Sequence, residues 1–433
     1  MGAKVLDFAM NALFASKAKC ITLRAQKPET MSEVKIGIIR EMKMPPDSRV
    51  VLTPAQCAQL KNQYPQLNIT VQRSPGRCYT DAEYEVAGVT LVDDMHDREI
   101  LIGVKEIPIS DIVPHRTYIC FSHTHKKQLN NRPLLQAFIE KGVKLVDYEL
   151  LTDANHNRVI AFGYFAGLVG AHNGLLTWGK RTGKLNLKRV KDYQDFSTLK
   201  EDYKSITIPP VKIVLTGSGR VASGAKEILD LLRIKQVTKE EYLQIDEPTE
   251  AVYVQLNTHE IYQHLGGKLF YMDHFVQNPQ DYGSSFAPFF RSSDLLINAI
   301  YWDPKAPRYF TLDEMALPDF RIRTIADITC DIGGSVPATL RATTIAEPFM
   351  GYDPITQQET APFQPNSIDI MSIDNLPNEL PRDASQAFGK MFIAHVLPEL
   401  MDEKPGDMIA RATICAGGQL GKEFGYLREW VVG

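Results

Sequence analysis

The sequence contains no pair of cysteines close enough to form a local motif. Its six cysteines are spread over 433 residues, and none lies in a Cys-x-x-Cys arrangement. This spacing argues against the common zinc-binding motifs and against a disulfide framework, so no metal site is predicted. We expect free thiols and a reducing compartment, the cytoplasm.

The chain also lacks an excess of charge of either sign. It has 48 lysines and arginines against 52 aspartates and glutamates, which gives a formal net charge of −4. Proteins that bind nucleic acid usually present a strong positive field. No nucleic-acid partner is therefore expected.

A long uninterrupted apolar run is missing as well. The most apolar segment, residues 159–178, is broken by several glycines and by His172 and Asn173. Small residues every three or four positions allow close helix packing, so we predict a buried interior helix here and no membrane partner. Residues 1–30, which are rich in lysine, are predicted to be an appendage that precedes a first strand.

Short apolar runs that alternate with amphipathic segments are what the sequence does contain. This alternation is typical of an α/β fold with mostly parallel strands. The runs form two groups on either side of the polar stretch 179–205. We predict two Rossmann-like domains with parallel sheets that flank an interdomain cleft: a catalytic domain over residues 31–178 and a nucleotide-binding domain over residues 205–374.

A glycine-rich turn opens the second group. The strand at residues 212–216 runs directly into Gly217-Ser218-Gly219-Arg220-Val221, with Gly224 one turn further on. Strand, glycine turn and helix together form the pyrophosphate site of dinucleotide-binding proteins. In that interpretation Gly217 permits the tight turn, Gly219 admits the pyrophosphate, and Gly224 allows the helix to pack closely on the strand. An ordinary βα turn is the alternative.

The cofactor is predicted to be NAD(P), with a preference for NADP. In dinucleotide-binding domains an acidic residue after the second strand usually holds the ribose hydroxyls of NAD. The second strand predicted here, residues 235–238, is followed by Lys239 and not by an acid, while Arg220 lies in the glycine turn.

Ionisable side chains follow several strands of the first group. Ligands bind at the carboxyl ends of parallel strands, so these side chains are candidates for one site. Lysine and histidine suit proton transfer at an amine or a carbonyl, glutamates tune them, and arginines grip carboxylates. The candidates are Arg40 within residues 39–49, Lys105 with Glu106, His123 with Lys126, Glu149, and Arg158 just before the apolar helix.

Several motifs then resemble a known family. Residues 36–41 and 49–54 are similar to the opening of the alanine dehydrogenase and transhydrogenase superfamily. More specific motifs resemble the lysine-forming saccharopine dehydrogenases and the lysine–2-oxoglutarate reductase part of aminoadipate semialdehyde synthase. These motifs are residues 121–124, 146–149, 158–163, 216–219, 297–302, 327–335, 372–377 and 380–382.

The resemblance implies roles for the candidate residues. Lys105 and His123 would act as acid and base, with Glu106 and Glu149 tuning them. Arg40, Lys126 and Arg158 would contact substrate carboxylates, and Asp331 would lie beside the cofactor at the cleft. The family also implies that residues 375–433 return to pack on the first domain.

The leading hypothesis is an enzyme that interconverts saccharopine with L-lysine and 2-oxoglutarate, small molecules being its partners. A related amino-acid or opine dehydrogenase, such as alanine dehydrogenase, is the alternative within the same class. A nucleotide sensor that has lost turnover is the alternative from another class, but such a protein would lack one of the proton-handling residues, and none is missing here.

Overall fold

Two largely parallel β-sheets organise the chain in the computed structural model, which describes residues 33–401 and 406–433. The predicted appendage of residues 1–30 lies outside the described residues. In chain order, the first group of elements is β1 (Val34–Ile38), α1 (Pro54–Gln63), β2 (Leu67–Gln72), α2 (Asp81–Val86), β3 (Thr90–Val92), β4 (Ile100–Ile102), β5 (Thr117–Cys120), α3 (Arg132–Glu140), β6 (Lys144–Asp147) and α4 (Gly163–Thr182).

The second group contains a second sheet and, before β12, an excursion of short elements that covers residues 258–290. Its elements are α5 (Phe196–Tyr203), β7 (Lys212–Thr216), α6 (Arg220–Leu231), β8 (Lys235–Gln236), α7 (Lys239–Gln244), β9 (Val252–Leu256), α8 (Thr258–Ile261), β10 (Tyr262–His264), α9 (Met272–Gln277), β11 (Tyr282–Ser284), α10 (Ala287–Phe290), β12 (Leu295–Asn298), α11 (Leu312–Met315), β13 (Thr324–Asp327), β14 (Met350–Asp353), β15 (Gln358–Thr360) and β16 (Ile368–Met371).

The last elements of the chain contact the first sheet. They are α12 (Pro381–Met391), α13 (Leu397–Leu400), α14 (Met408–Arg411), β17 (Thr413–Ala416), β18 (Gln419–Leu420) and α15 (Arg428–Val432). Strand β17 pairs antiparallel with β6, and Phe388 of α12 stacks on Phe162 with ring centroids 4.7 Å apart. The exact domain boundaries stay a prediction.

Strand order confirms the predicted α/β class. The first sheet has the order β18-β17-β6-β5-β4-β1-β2-β3, with β1 to β6 parallel, and the second has the order β15-β14-β16-β13-β12-β7-β9-β8. All five residues of β7 are buried. A strand covered on both faces needs such a continuous apolar run, because helices lie on either side of a parallel sheet.

Helix α4 is the predicted interior helix, although it begins four residues later than the apolar run. Most of its residues are buried, and none of the helices in residues 33–401 and 406–433 is long and apolar enough to cross a membrane. Its glycines face two partners. A Cβ on Gly170 or Gly174 would meet Ile328 or Ala326 at the second sheet.

The other contact of α4 is backbone to backbone with α6. A Cβ on Gly167 would lie 1.8 Å from the Val221 carbonyl oxygen, and one on Gly224 would lie 2.0 Å from the Tyr164 carbonyl oxygen. The prediction that Gly224 packs a helix on a strand was therefore wrong, because its close neighbour is another helix. The two glycines set the distance between α4 and the helix of the nucleotide loop.

We predict that Gly167→Ala lowers the free energy of unfolding by about 2 kcal/mol or more, because the added methyl group meets backbone that cannot rotate away. Chemical denaturation measures the change. Gly76→Ala is the matched control, since no atom lies within 4 Å of its added methyl group, and it should change stability by less than about 0.5 kcal/mol. Equal stability of the two variants would contradict the contact.

Candidate active site

The candidate catalytic side chains meet at the carboxyl ends of β4, β5 and β6. Lys105 and Glu106 follow β4, and His123 follows β5. His123 Nδ1 lies 2.7 Å from Glu106 Oε1, and Lys43 Nζ lies 3.0 Å from Glu106 Oε2. The structure therefore brings together residues that are far apart in the chain, as parallel strands should.

The carboxylate of Glu106 fixes how His123 can act. Burial alone raises the pKa of Glu106, but the hydrogen bond and charge of His123, together with Lys43, lower it to about 2. Glu106 is thus ionised near neutral pH and can only accept a hydrogen bond. It follows that Nδ1 of His123 carries a proton and that Nε2 is left to exchange protons with a ligand.

Lys105 sits among other positive charges. Burial lowers its pKa first, and the charges of Arg49 and Lys43 lower it further, to about 8. A lysine with this pKa is present partly as the neutral amine close to neutral pH, so it can accept a proton as well as donate one.

Asp147, the last residue of β6, anchors the loop that carries His123. Its fully buried carboxylate accepts hydrogen bonds from the Ser122 hydroxyl (2.7 Å) and from the backbone N–H groups of Ser122, His123 and Glu149. His123 has a left-handed backbone with φ of 53°, which is uncommon for a residue with a side chain. These hydrogen bonds hold that conformation.

Glu149 forms ion pairs with two positive side chains, Lys126 and Arg158. Its carboxylate lies 2.7 Å from Lys126 Nζ and 3.6 Å from Arg158 Nη1. Burial lowers the pKa of Arg158, and the charge of Glu149 opposes that effect. The backbone oxygen of Arg158 accepts a hydrogen bond of 2.6 Å from Arg220, which links this group to the nucleotide loop.

Arg40 is not brought into the cluster. Its side chain is exposed and lines two pockets beside β2, together with Gln72, Arg73 and Asp93. Its backbone N–H bonds to Gln72 Oε1 at 3.2 Å. The position of Arg40 does not support the predicted contact with substrate.

Arg49, unlike Arg40, lies near Lys105. It is buried, forms an ion pair with Asp47 (2.5 Å), donates to Asn375 Oδ1 (2.8 Å) and lies 4.1 Å from the centre of the Phe162 ring. Burial raises the pKa of Asp47, but the charge and hydrogen bonds of Arg49 hold it well below its usual range. The sequence places Arg49 at the end of the polar run 45–49 after β1. It does not show that Asn375, more than 300 residues away in the chain, holds the Arg49 side chain.

Glu41 is a second residue that the sequence did not single out. Its side chain accepts hydrogen bonds from the backbone N–H groups of Val104 (2.5 Å) and Lys105 (2.9 Å). A Cβ on the neighbouring Gly103 would lie 2.9 Å from the Ile39 side chain, so glycine makes room for that side chain. Burial raises the pKa of Glu41 to about 7. Its carboxyl group holds the backbone that carries Lys105.

A cavity of about 450 Å³ lies over the glycine turn and is lined by all five residues from Gly217 to Val221. Its other walls come from the short elements before β12, among them Tyr262, Met272 and Phe275, and from residues 299–303 after β12. Gly217 has φ of 95°, and a Cβ there would lie 2.6 Å from the Ala299 carbonyl oxygen, whereas the space at Gly219 is open. A dinucleotide fits this site, with its pyrophosphate at the start of α6.

A second cavity, of about 630 Å³, continues from the first. It shares Val221 and residues 299–302 with the nucleotide cavity and extends to Asp331. Burial and the charge of Asp327 raise the pKa of Asp331, and the charge of Lys126 opposes that effect.

The strand that pairs with β7 is not the one predicted from the sequence, so the residue after position 238 does not bear on the choice between NAD and NADP. Residues 235–236 form β8 at the edge of the sheet, whereas the strand beside β7 is β9, which ends at Leu256. Asn257 and Thr258 follow it. The nearby Glu260 carboxylate accepts a hydrogen bond from the Asn257 backbone (2.8 Å) and thereby caps α8.

Comparison with known proteins supports the resemblance that the motifs suggested. Residues 37–169 match the family model "Alanine dehydrogenase/PNT, N-terminal domain". Alpha-aminoadipic semialdehyde synthase of Arabidopsis thaliana is 30% identical over 90% of this chain, which spans 41% of that relative. Saccharopine dehydrogenase [NAD(+), L-lysine-forming] of Neurospora crassa is 28% identical over 84% of this chain and 91% of its own length.

Solved structures share the fold. An L-alanine dehydrogenase aligns with a TM-score of 0.62 at 18% identity, covering 92% of this chain and 99% of its own. A transhydrogenase of Sinorhizobium meliloti aligns with a TM-score of 0.54 at 14% identity, covering 89% of this chain and 99% of its own. The predicted class of two Rossmann-like domains is confirmed, and a nicotinamide cofactor is supported, whereas the preference for NADP is not.

We predict that Lys105 is acetylated at lower pH than lysines with the ordinary pKa near 10.4. Peptide-resolved mass spectrometry across a pH series should give half-maximal reaction of Lys105 at about pH 8, where half of its side chains are neutral. Lys43→Gln removes a neighbouring positive charge and should move that midpoint upward. A midpoint above pH 10 in the unaltered protein would contradict the environment described.

Proposed function

We propose that this chain, whose residues 37–169 match the alanine dehydrogenase/PNT N-terminal domain and which is similar to the lysine-forming saccharopine dehydrogenases, interconverts saccharopine with L-lysine and 2-oxoglutarate. The general class of the proposed enzyme is a nicotinamide-dependent oxidoreductase that acts on amino acids. Its partners are small molecules, an amino acid and a keto acid.

The observation that carries the proposal is the group of Lys105, Glu106 and His123, which lies beside the Glu149–Arg158 pair that the hydrogen bond from Arg220 links to the glycine turn. A reductive amination needs proton transfer to and from nitrogen and oxygen at a carbon that also exchanges a hydride. Lys105 and His123 supply two groups able to move protons near neutral pH.

In the reducing direction, the ε-amine of lysine adds to the keto carbon of 2-oxoglutarate, and water leaves to give an imine. The neutral form of Lys105 takes the proton that the amine loses and passes it to the keto oxygen. The His123 side chain delivers the second proton that this oxygen needs to leave as water, so that a protonated imine remains. Glu106 holds the His123 ring in orientation through Nδ1. Residues 217–221 would hold a nicotinamide dinucleotide, which would supply the hydride for the carbon of the protonated imine and so give the secondary amine of saccharopine.

Arginine and lysine side chains bind the substrate carboxylates in this proposal. Arg158 and Lys126 lie together around Glu149, and Arg49 lies beside Lys105. A guanidinium matches a carboxylate with two parallel hydrogen bonds, which suits a dicarboxylate such as 2-oxoglutarate. Arg49 takes over the role that the sequence suggested for Arg40. Gly217 to Val221 and Asp331 line the cofactor side of the cavities.

The proposed cofactor is NAD(H). The fungal relatives carry NAD(+) in their names, and the strand end beside β7 presents an asparagine and a threonine. A reducing compartment is proposed as well, since Cys57, Cys120 and Cys415 are buried free thiols. The compartment of the relatives varies, because the bovine semialdehyde synthase is named as mitochondrial.

Alanine dehydrogenase activity is the second candidate. It is favoured by the matching N-terminal family and by the fold of the solved L-alanine dehydrogenase, and the same proton-handling groups would serve pyruvate and ammonia.

Initial rates over a substrate panel test the proposal. We expect oxidation of NADH with lysine plus 2-oxoglutarate, slower oxidation of NADPH, and little activity with pyruvate plus ammonia. Lys105→Met and His123→Gln should each lower kcat by roughly 10²–10⁴-fold while NADH binding is retained, because each removes a proton-transfer group. Full turnover by either variant would overturn the residue assignments.

A matched pair of conservative changes separates the two arginines. Arg49→Lys keeps the charge but loses the paired hydrogen bonds that fix the guanidinium on Asp47, so the KM for 2-oxoglutarate should rise by about 10-fold or more. Arg40→Lys should leave it unchanged, since that side chain lies outside the cluster. Pyruvate and ammonia as the preferred substrates would favour the second candidate.

A further inference from the structure

Two histidines and an aspartate converge in the excursion before β12, away from the cluster around Lys105. His264 ends β10, His274 lies in α9, and Asp281 directly precedes β11. One ligand atom from each lies within 4.8 Å of the other two, and all three residues are partly buried. The proposed function uses none of them.

His264 has an unsatisfied ring nitrogen. Its Nε2 is buried and has no hydrogen-bond partner among the described residues, while its Nδ1 accepts the Gly266 N–H at 2.9 Å. Buried polar atoms in proteins are nearly always paired, so an unpaired one calls for a partner that the protein atoms do not supply.

His274 is oriented but also weakly satisfied on the same side. Its Nδ1 lies 3.1 Å from the Tyr282 hydroxyl, which fixes the ring, and its Nε2 lies 3.8 Å from Asp281 Oδ2. That separation is too long for a hydrogen bond. A histidine that binds a metal through one ring nitrogen usually forms a hydrogen bond through the other, as Nδ1 of His274 does here.

We propose that His264 Nε2, His274 Nε2 and Asp281 bind a divalent transition metal such as Zn²⁺, with a fourth position left to water. Two imidazoles and one carboxylate suit zinc and its neighbours, whereas calcium and magnesium require mainly oxygen ligands. Tetrahedral ligands around zinc lie about 3.4 Å apart, so the three groups reach the ion by small side-chain rotations. This site departs from the expectation, drawn from cysteine spacing, that no metal would bind.

Binding requires one local change. The Gly266 N–H donates to Nδ1 of His264, which leaves the proton of the neutral ring on Nε2. The metal takes the Nε2 lone pair, so that proton moves to Nδ1 and the Gly266 amide turns away. Gly266 and Gly267 form an exposed turn, and glycine backbone tolerates this rearrangement.

The other cluster of possible ligands is a poorer site. His125, Asp147 and Glu149 also lie within 4.8 Å of one another. Lys126 Nζ is 2.7 Å from Glu149, however, and Arg158 is close by, so positive charge already occupies that carboxylate. Asp147 in addition accepts hydrogen bonds from Ser122 and His123.

The test uses untagged full-length protein that has been stripped with a chelator and dialysed. Zn²⁺ is titrated by calorimetry and Co²⁺ by its visible absorption, which reports the ligand set. We expect one ion per chain. His264→Asn and His274→Asn should each weaken binding by at least about 10-fold. Asp281→Asn, a same-sized change on a partly exposed residue, tests the third ligand without disturbing the fold.

Two control variants locate the ion. His259→Asn changes a histidine of the same excursion that lies outside the cluster, and it should bind like the unaltered protein. His125→Asn reports the other cluster. The proposal is overturned if the unaltered protein binds no stoichiometric metal, if the variants at 264 and 274 bind normally, or if only His125→Asn loses binding. None of these readouts depends on turnover, so they are separate from the test of the proposed function.

Discussion

The close contact between α4 and α6 is the constraint on which the site depends. Gly167 and Gly224 allow the two helix backbones to touch, and no larger residue fits at either position. The start of α4 follows Phe162 and Arg158, and the start of α6 follows the nucleotide turn. The contact therefore holds the segment that carries Arg158 next to the glycine turn, and the hydrogen bond from Arg220 to the Arg158 carbonyl oxygen reinforces it.

Charge then tunes the chemistry of the groups that this contact brings together. Lys43 and Arg49 lie near Lys105 and help to lower its pKa, while Glu106 stays ionised beside His123. Two buried carboxyl groups, Glu41 and Asp147, take no direct part in the proposed reaction. Each accepts backbone N–H groups at a strand end, so they position the catalytic side chains rather than touch a ligand.

Features that follow a recurring local pattern, such as a strand followed by ionisable residues or by glycines, were predictable, and those that depend on distant partners were not. Lys105, His123 and the glycine turn were visible because parallel strands place successive strand ends at one edge. The sequence did not single out Arg49, because the side to which a residue turns after β1 depends on distant neighbours: Gln72 contacts Arg40, and Asn375 contacts Arg49. The second strand was misplaced because α7 intervenes between β8 and β9.

Transfer of deuterium tests the central claim most directly, namely that this cleft joins a nicotinamide to an imine of lysine and 2-oxoglutarate. The protein is incubated with both substrates and with NADH deuterated at both C4 positions, and the product is analysed by mass spectrometry. The account predicts saccharopine that carries one deuterium, at the glutarate carbon bonded to nitrogen. Consumption of the labelled NADH without label at that carbon, or no saccharopine at all, would contradict it.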